Sequence, residues 1–375
     1  MTGYFAYENL TWPEVAALAR DTPLVLPLGG GYIPERLAEA LGGPPRAGLL
    51  PALPFGWLGS GLAVPDHVLG RLVGNLADSL RDDGFSRVVA LTPQGLDLGL
   101  GAGSIALSRT DAQLRVSVLP DDSERGKVVL IPIGHTEQHG YHLPLATDTL
   151  IIEAIGRGLA AATPAGATLL PVFPYGVSTH RASFAGTLNV GGRAFEDFWL
   201  AAVDVLAARG FDRFYFLNGH GGNGSFLTNV VKYAGERHRR VFCATAMYLN
   251  GPEGAQVLQS HRRSGIGGMG HACELETSLM LHLCPDLVHM ERVVDETDFV
   301  ATPSYYMDWI EGGALVANPP WDDDTRTGAY GTGSLGTKEK GEYWLKVAIE
   351  EKVDHVMEIH EQYRRRRERR PAPKG

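Results

Sequence analysis

At 375 residues, with 44% apolar and 21% charged side chains, the chain can bury a substantial core, and its length points to two domains rather than one or three. The net charge of −9 hides a still more acidic body, because residues 364–375 (RRRRERRPAPKG) hold seven basic side chains and one acidic; such a surface argues against nucleic acid as a partner and against a membrane-surface protein. No basic start with an apolar run marks the N-terminus, no apolar stretch approaches the ~18 residues of a membrane span, and Cys243, Cys273 and Cys284 form no disulfide framework, so a soluble cytoplasmic protein is expected.

In chain order, three segments of the first 125 residues are echoed later. TPLVLPLGGGYIPERLAEALGG at 22–43 resembles KVVLIPIGHTEQHGYHLPLATDTLIIEAIGRGL at 127–159 with the central loop deleted. LLPALPFGW at 49–57 resembles LLPVFPYGV at 169–177, and DSLRDDGFSRVVALTPQG at 78–95 resembles DVLAARGFDRFYFLNGHG at 204–221. Three matches in one order read as an internal duplication with a shortened first copy. That copy has lost the loop histidines: LNGHG has become LTPQG, and EQHG is missing. Whatever chemistry the second copy performs, the first cannot perform alone.

From residue 126 onward, short apolar runs at 128–134, 168–176 and within 211–222 read as strands. Helical patterns follow them, one over about 193–209 and another ending near 238. This alternation predicts an α/β sheet covered by helices, whose ligands gather beyond the carboxyl ends of the strands. Two histidine-bearing loops, 135–142 and 218–224, each follow directly on such a strand.

The chemistry-bearing residues lie in three segments. In HTEQHGYHLPLATD, Glu137 and His139 sit two apart and face one way in extended chain, Asp148 returns to join them, and His142 is a spare imidazole. Carboxylate with imidazole suits zinc or manganese, and a carboxylate can bridge two ions. NGHGG at 218–222 places His220 at a strand end in a glycine-rich turn. GMGHACELETSLMLHLCP at 268–285 puts His271, Glu274 and Glu276 at the start of an apolar helix, with His271 and Glu274 three apart and able to share a face. Each segment alone also reads as an ordinary polar turn or helix start; the loss of the whole set from the first copy ties them together.

GHTEQHGYHLPLATD, NGHGGN and HACELETS resemble the three signature segments of the creatininase (creatinine amidohydrolase) family, over roughly residues 120–290 with continuation to about 360. The resemblance implies a three-layer αβα fold with a mostly parallel sheet. It also implies two divalent ions, zinc and/or manganese, hydrolysis of a C–N bond in a small cyclic amide or formamide, and a homo-oligomer, often a hexamer. By position it makes Glu137, His139, Asp148 and His220 metal ligands with Asp148 as the bridge, and His271 the residue that handles a proton. Two departures turn the expectation away from creatinine. Gly222 stands where creatinine-hydrolysing members carry a ligating Glu, a gap that Glu274 is expected to fill, and no Trp lies between Trp199 and Trp309, where those members place a lid. Peptide trimming and ring opening of a keto-inositol by the same centre stay open, and a metal-free scaffold is the alternative of another class.

The expected organisation is a degenerate repeat without metal ligands at 1–125, a catalytic unit at 126–363 and a disordered basic tail at 364–375. GGGYIP at 29–34 and GLGAGS at 99–104 lack the Lys-Ser/Thr of a P-loop and read as turns. Segment 322–344, rich in Gly, Thr and Asp, reads as a loop over a site, a subunit contact or a plain surface connection.

Overall fold

The computed structural model describes residues 2–110, 117–179, 183–310 and 312–370. The N-terminal part contains β1 (Gly3–Ala6), α1 (Trp12–Ala16), β2 (Leu24–Pro27), α2 (Pro34–Ala40), β3 (Arg46–Leu49), α3 (Asp66–Asp82), β4 (Val88–Pro93) and β5 (Ser104–Leu107). Its sheet is parallel in the order β1-β3-β2-β4-β5. The second part begins with β6 (Val128–Ile133), α4 (Thr147–Ala162), β7 (Ala167–Leu169), α5 (Gly192–Ala208), β8 (Arg213–Asn218), α6 (Gly224–Arg237) and β9 (Phe242–Met247), with a parallel sheet in the order β7-β6-β8-β9. α7 (Pro252–His261), β10 (Met269–His271), α8 (Glu274–Leu283), β11 (Tyr330–Gly331) and α9 (Lys338–Glu368) complete the chain.

β3-β2-β4-β5 and β7-β6-β8-β9 share one order and one register. Val25 pairs with Leu49 as Leu130 pairs with Leu169, and Leu24 pairs with Val88 as Val129 pairs with Phe214. The strand expected over 168–176 stops at Leu169 and continues as extended chain, because Pro171 and Pro174 offer no N–H to a ladder.

All six residues of β6 are buried, as a central parallel strand requires. Their alternation serves two faces: Val129, Ile131 and Ile133 join one apolar cluster, Val128 and Leu130 another. α4, α8 and α9 cover the second face. The first face shares its cluster with α3, α5 and α6 and with Leu24, Leu26 and Leu28 of the other sheet. α3 contributes a stripe of Val68, Leu69, Leu72, Val73, Leu76 and Leu80, the spacing of one helical face. The two sheets thus close on a common helical layer, where Phe55 meets Phe173, Phe198 and Trp199 at ring-centroid distances of 5.7, 6.2 and 6.0 Å.

The N-terminal segment also grips the loop after β6. Leu145 N–H donates to Leu10 C=O and Ala146 N–H to Glu8 C=O, both at 2.9 Å, and the Trp12 indole packs on Tyr141. At the other end, α9 carries Arg364–Glu368 as regular helix, where a disordered tail was expected. The Arg364 and Arg365 side chains bridge to Glu361, and Arg364 also to Glu368, three and four residues away, which holds the last turns. Residues 371–375 of that tail lie outside the described residues.

Phe55→Ala is expected to lower stability by about 3–5 kcal/mol in denaturant unfolding, as truncation of a buried aromatic does. A chain starting near residue 121 should be insoluble, since it uncovers the apolar faces of α5 and α6; a soluble, fully active product would show that the second part stands alone.

Candidate metal centre

β6 and β8 are neighbours whose following connections diverge to opposite sides of the sheet, the switch point at which parallel sheets collect ligands. A Cβ on Gly134 would lie 2.4 Å from Thr149 Cα. That close approach seats the first turn of α4 on the strand end and delivers Asp148, an acid favoured at a helix N-terminus. His220 follows β8 directly. β10 brings His271, and Ala272, in the left-handed region at φ 50°, turns the chain sharply into α8, which brings Glu276.

Glu137, His139, Asp148, His220, His271 and Glu276 meet in this space, all buried. Hydrogen bonds fix which ring nitrogen of each histidine faces it, because a carbonyl oxygen only accepts. His139 Nδ1–H donates to Glu137 C=O at 3.0 Å, His220 Nε2–H to Val177 C=O at 3.1 Å, and His271 Nε2–H to Gln138 C=O at 2.6 Å. The opposite nitrogens therefore face the carboxylates. His139 Nε2 is 3.2 Å from Asp148 Oδ1 and 3.9 Å from Glu276 Oε1. His220 Nδ1 is 3.0 Å from Asp148 Oδ2 and 3.1 Å from Glu137 Oε1. Donors around a tetrahedral ion with bonds of ~2.0–2.1 Å sit roughly 3.3 Å apart, which these spacings match. His139 Nε2 and Asp148 Oδ2 are buried without a hydrogen-bond partner. The donor set fits divalent metal binding.

Charge balance points the same way. Burial would depress His139, but Asp148 and then Glu276 and Glu137 raise it to about 9. His220 is likewise raised against its burial, by Glu137 and Asp148. Burial, with Asp148 and Glu137 adding to it and His139 opposing, lifts Glu276 to about 7. Burial and then His139 push His271 down to about 3, so it is neutral, with the Nδ1 lone pair facing inward. Protons on His139 and His220 thus stand where cations would otherwise balance the carboxylates.

Glu274 is a correction. Adjacent residues in an α-helix are about 100° apart, so Glu274 and Glu276 point to nearly opposite sides. Because His271 lies on β10 before a sharp turn, the spacing of three does not place it on a common helical face with Glu274. Glu274 instead pairs with Lys340 and accepts Arg263 N–H at 2.9 Å and Ser264 N–H at 2.8 Å. The extra carboxylate comes from Glu276. Gly222 cannot supply it, because a Cβ there would lie 2.2 Å from Val177 C=O and 2.5 Å from His220 Nε2. His142 turns away to Thr277 Oγ1 at 2.9 Å. Cys273 is buried, with its thiol donating toward Glu276 Oε2 at 3.8 Å; burial and Glu276 keep it protonated.

The cluster opens into a cavity of about 220 Å³ walled by Met247, Met307, Trp309 and Trp321. Tryptophans therefore line the pocket, arriving from beyond the third motif rather than between the second and third. Segment 322–344 contributes no lining residue but packs behind this wall: β11 pairs antiparallel with β10, and Gln138 donates to Gly328 C=O at 2.8 Å. Just before that segment, Trp321 stands edge-on to His271 with centroids 4.8 Å apart. Two members of the site had weak sequence signals: His135, fully buried with its ring tilted against that of His220 at 4.4 Å, and the Trp309–Trp321 wall. A larger groove of about 810 Å³, lined by His238, Arg239, Arg240 and Arg367, lies at the amino ends of β8 and β9, away from the cluster.

Residues 112–356 match the creatininase family, described as creatinine amidohydrolase. The chain is 36% identical over 172 residues to a mycofactocin precursor peptide peptidase of Mycobacterium ulcerans (strain Agy99), covering 44% of this chain and 62% of that protein. It is 30% identical over 252 residues to a creatinine amidohydrolase of Pseudomonas putida, covering 62% of this chain and 89% of that protein. The solved structure described as "Creatininase Mn" aligns with a TM-score of 0.54 at 25% identity, over 63% of this chain and 92% of that one. The match thus spans about three-fifths of the mycofactocin peptidase and most of the creatinine amidohydrolase.

Glu276→Gln should lose bound transition metal by elemental analysis while folding normally. Glu274→Ala should keep the metal but lose about 1–3 kcal/mol of stability, because the Arg263 and Ser264 N–H groups and the half-buried Lys340 ammonium lose their acceptor. Because His139 and His220 hold protons at neutral pH, loading the metal-free protein with zinc should release at least one proton per chain, and affinity should weaken as pH falls. Calorimetry in buffers of different ionisation enthalpy reads this release.

Proposed function

The chain belongs to the creatininase family of hydrolases, and from that premise we propose that it hydrolyses a C–N bond in a small cyclic amide or formamide, using two divalent ions, zinc and/or manganese. The observation that carries this reading is Asp148, whose two oxygens face two different donor sets. Glu137 and His220 would hold one ion, His139 and Glu276 the other, and Asp148 both. When bound, such a centre supplies Lewis-acid activation of a water and of the substrate carbonyl.

The chain's own residues do the rest. The Nδ1 lone pair of His271 faces Glu137 Oε1 at 3.6 Å, so the ring can take the proton shed by the attacking water and return it to the departing nitrogen. Gln138 C=O holds the ring through Nε2–H, and Trp321 fixes its edge. The apolar wall excludes bulk water and suits a flat, uncharged substrate. A cavity of about 220 Å³ is smaller than the ~300–1,000 Å³ typical of drug-sized ligands, which favours a small amide over a long peptide. Similarity to the mycofactocin peptidase supports end-trimming of a short peptide as the second reading.

We read the N-terminal part as a non-catalytic copy that buttresses the loop before Asp148, supported by the common strand order and register. Apolar side chains exposed at Val300, Leu315 and Val316 support a homo-oligomer, a hexamer by the family's habit. The acidic composition and three unpaired cysteines support a cytoplasmic location.

Chelation should abolish activity and zinc or manganese should restore it, in a screen of cyclic amides, formamides, short peptides and keto-inositols; turnover of none of them by the metal-loaded protein would refute the reading. His271→Ala should retain metal and lower kcat by about 10²–10⁴. Loss of metal in that variant would make His271 a ligand.

A further inference from the structure

His135 stands apart from the other histidines of the cluster. By proximity it qualifies as a ligand, since its donor atom lies within 4.8 Å of those of Glu137 and His220. Its hydrogen bonding is reversed, however. Gly176 N–H donates to His135 Nδ1 at 2.8 Å, so Nδ1 carries the lone pair and Nε2 the proton. That N–H is fully buried, has no hydrogen-bond partner, and lies 3.9 Å from Glu137 Oε2. Glu137 Oε1, the other oxygen, faces His220 Nδ1. An imidazole with its proton on Nε2 has no lone pair to offer an ion there, but it has a donor to offer the carboxylate that does.

The N-terminal part shows that this imidazole is not needed to shape the strand end. Gly29 N–H donates to Leu53 C=O at 2.8 Å, as Gly134 N–H donates to Phe173 C=O at 2.9 Å. The next residues, Gly30 and His135, therefore hold equivalent places. In that part Gly56, the counterpart of Gly176, gives its N–H to Leu62 C=O at 2.9 Å and to Ser60 Oγ at 3.3 Å. The turn is satisfied without an imidazole where the ligand carboxylates are missing, and an imidazole is present where they are found.

Resting on the two-ion reading above, we infer that His135 is a positioning residue: its Nε2–H, directed at the second oxygen of Glu137 from 3.9 Å, closes on that oxygen when the first is drawn to the ion shared with His220 and Asp148. Buried donors that orient ligating carboxylates tune affinity by roughly 10–100-fold.

Asn and Gln separate the two nitrogens. In His135→Asn the amide oxygen can still accept Gly176 N–H at the Nδ1 place, but nothing replaces Nε2–H; in His135→Gln the amide N–H reaches the Nε2 place. Zinc titration of metal-free wild-type protein comes first, and absence of binding there would defeat the two-ion reading itself. If wild type binds, His135→Asn should weaken one of its two sites about 10–100-fold, with the unfolding midpoint of the metal-free protein unchanged, and His135→Gln should bind as wild type. Wild-type affinity in His135→Asn would overturn the inference and leave His135 a turn residue. Nitrogen NMR of the wild-type imidazole gives a measurement free of variants. Nε2 should remain protonated with zinc bound; zinc ligation at Nε2 would overturn the inference and make His135 a ligand.

Discussion

The constraint on which the structure turns is the burial of three carboxylates, Glu137, Asp148 and Glu276, in one nearly dry space. Like charges in low dielectric cannot all remain ionised unless positive charge is brought to them. The protein brings imidazoles whose outer N–H groups are tied to backbone carbonyls, so that their inner nitrogens point at the acids. Those carbonyls are placed by the scaffold: Asn223 Oδ1 accepts Val177 N–H at 2.9 Å, holding the segment whose carbonyl orients His220. The final asparagine of NGHGGN thus serves the histidine of the same motif at one remove. The site is built from backbone outward, and its side chains inherit their aim.

Much of this was readable in the sequence, for a physical reason. Parallel strands deliver their following loops to one edge, so histidines and acids placed just after apolar runs had to converge. The echoed segments place Leu24 against Val129 and Val88 against Phe214, and the structure pairs Leu24 with Val88 and Val129 with Phe214 in one register, an order of strands that the sequence alone does not state. Choosing between Glu274 and Glu276 was beyond spacing, because it depends on where the helix begins. Ala272 turns the chain one residue after His271, and that turn decides which acid faces in. The tryptophan wall escaped for another reason: Trp309 is tied to β10 by its N–H to Met269 C=O and Trp321 packs on Tyr330 of β11, contacts of irregular chain that leave no periodic trace. The arginine-rich end looked like a tail by composition, while the pairing of Arg364 and Arg365 with Glu361 is a matter of helical geometry.

The N-terminal part has the strand order and register of the second sheet without the buried histidines and acids at its strand ends. Its apolar features face inward: one side of β2, the stripe on α3, and Phe55 against Phe173. Its backbone at Glu8 and Leu10 clips the loop that leads into Asp148. A loop carrying an acid shared by two donor sets gains little from mobility, and this clip fixes it at the residues just before α4.

Gly222 carries a consequence for how such sites diverge. With Val177 C=O and His220 Nε2 packed against it, no side chain fits there unless the segment around Val177 withdraws, and that segment is what orients His220. A carboxylate at 222 and a carboxylate from α8 are therefore alternative solutions separated by a damaged intermediate. Moving the last acid from α8 to position 222 would need coordinated changes, one to place the carboxylate and another to draw Val177 back.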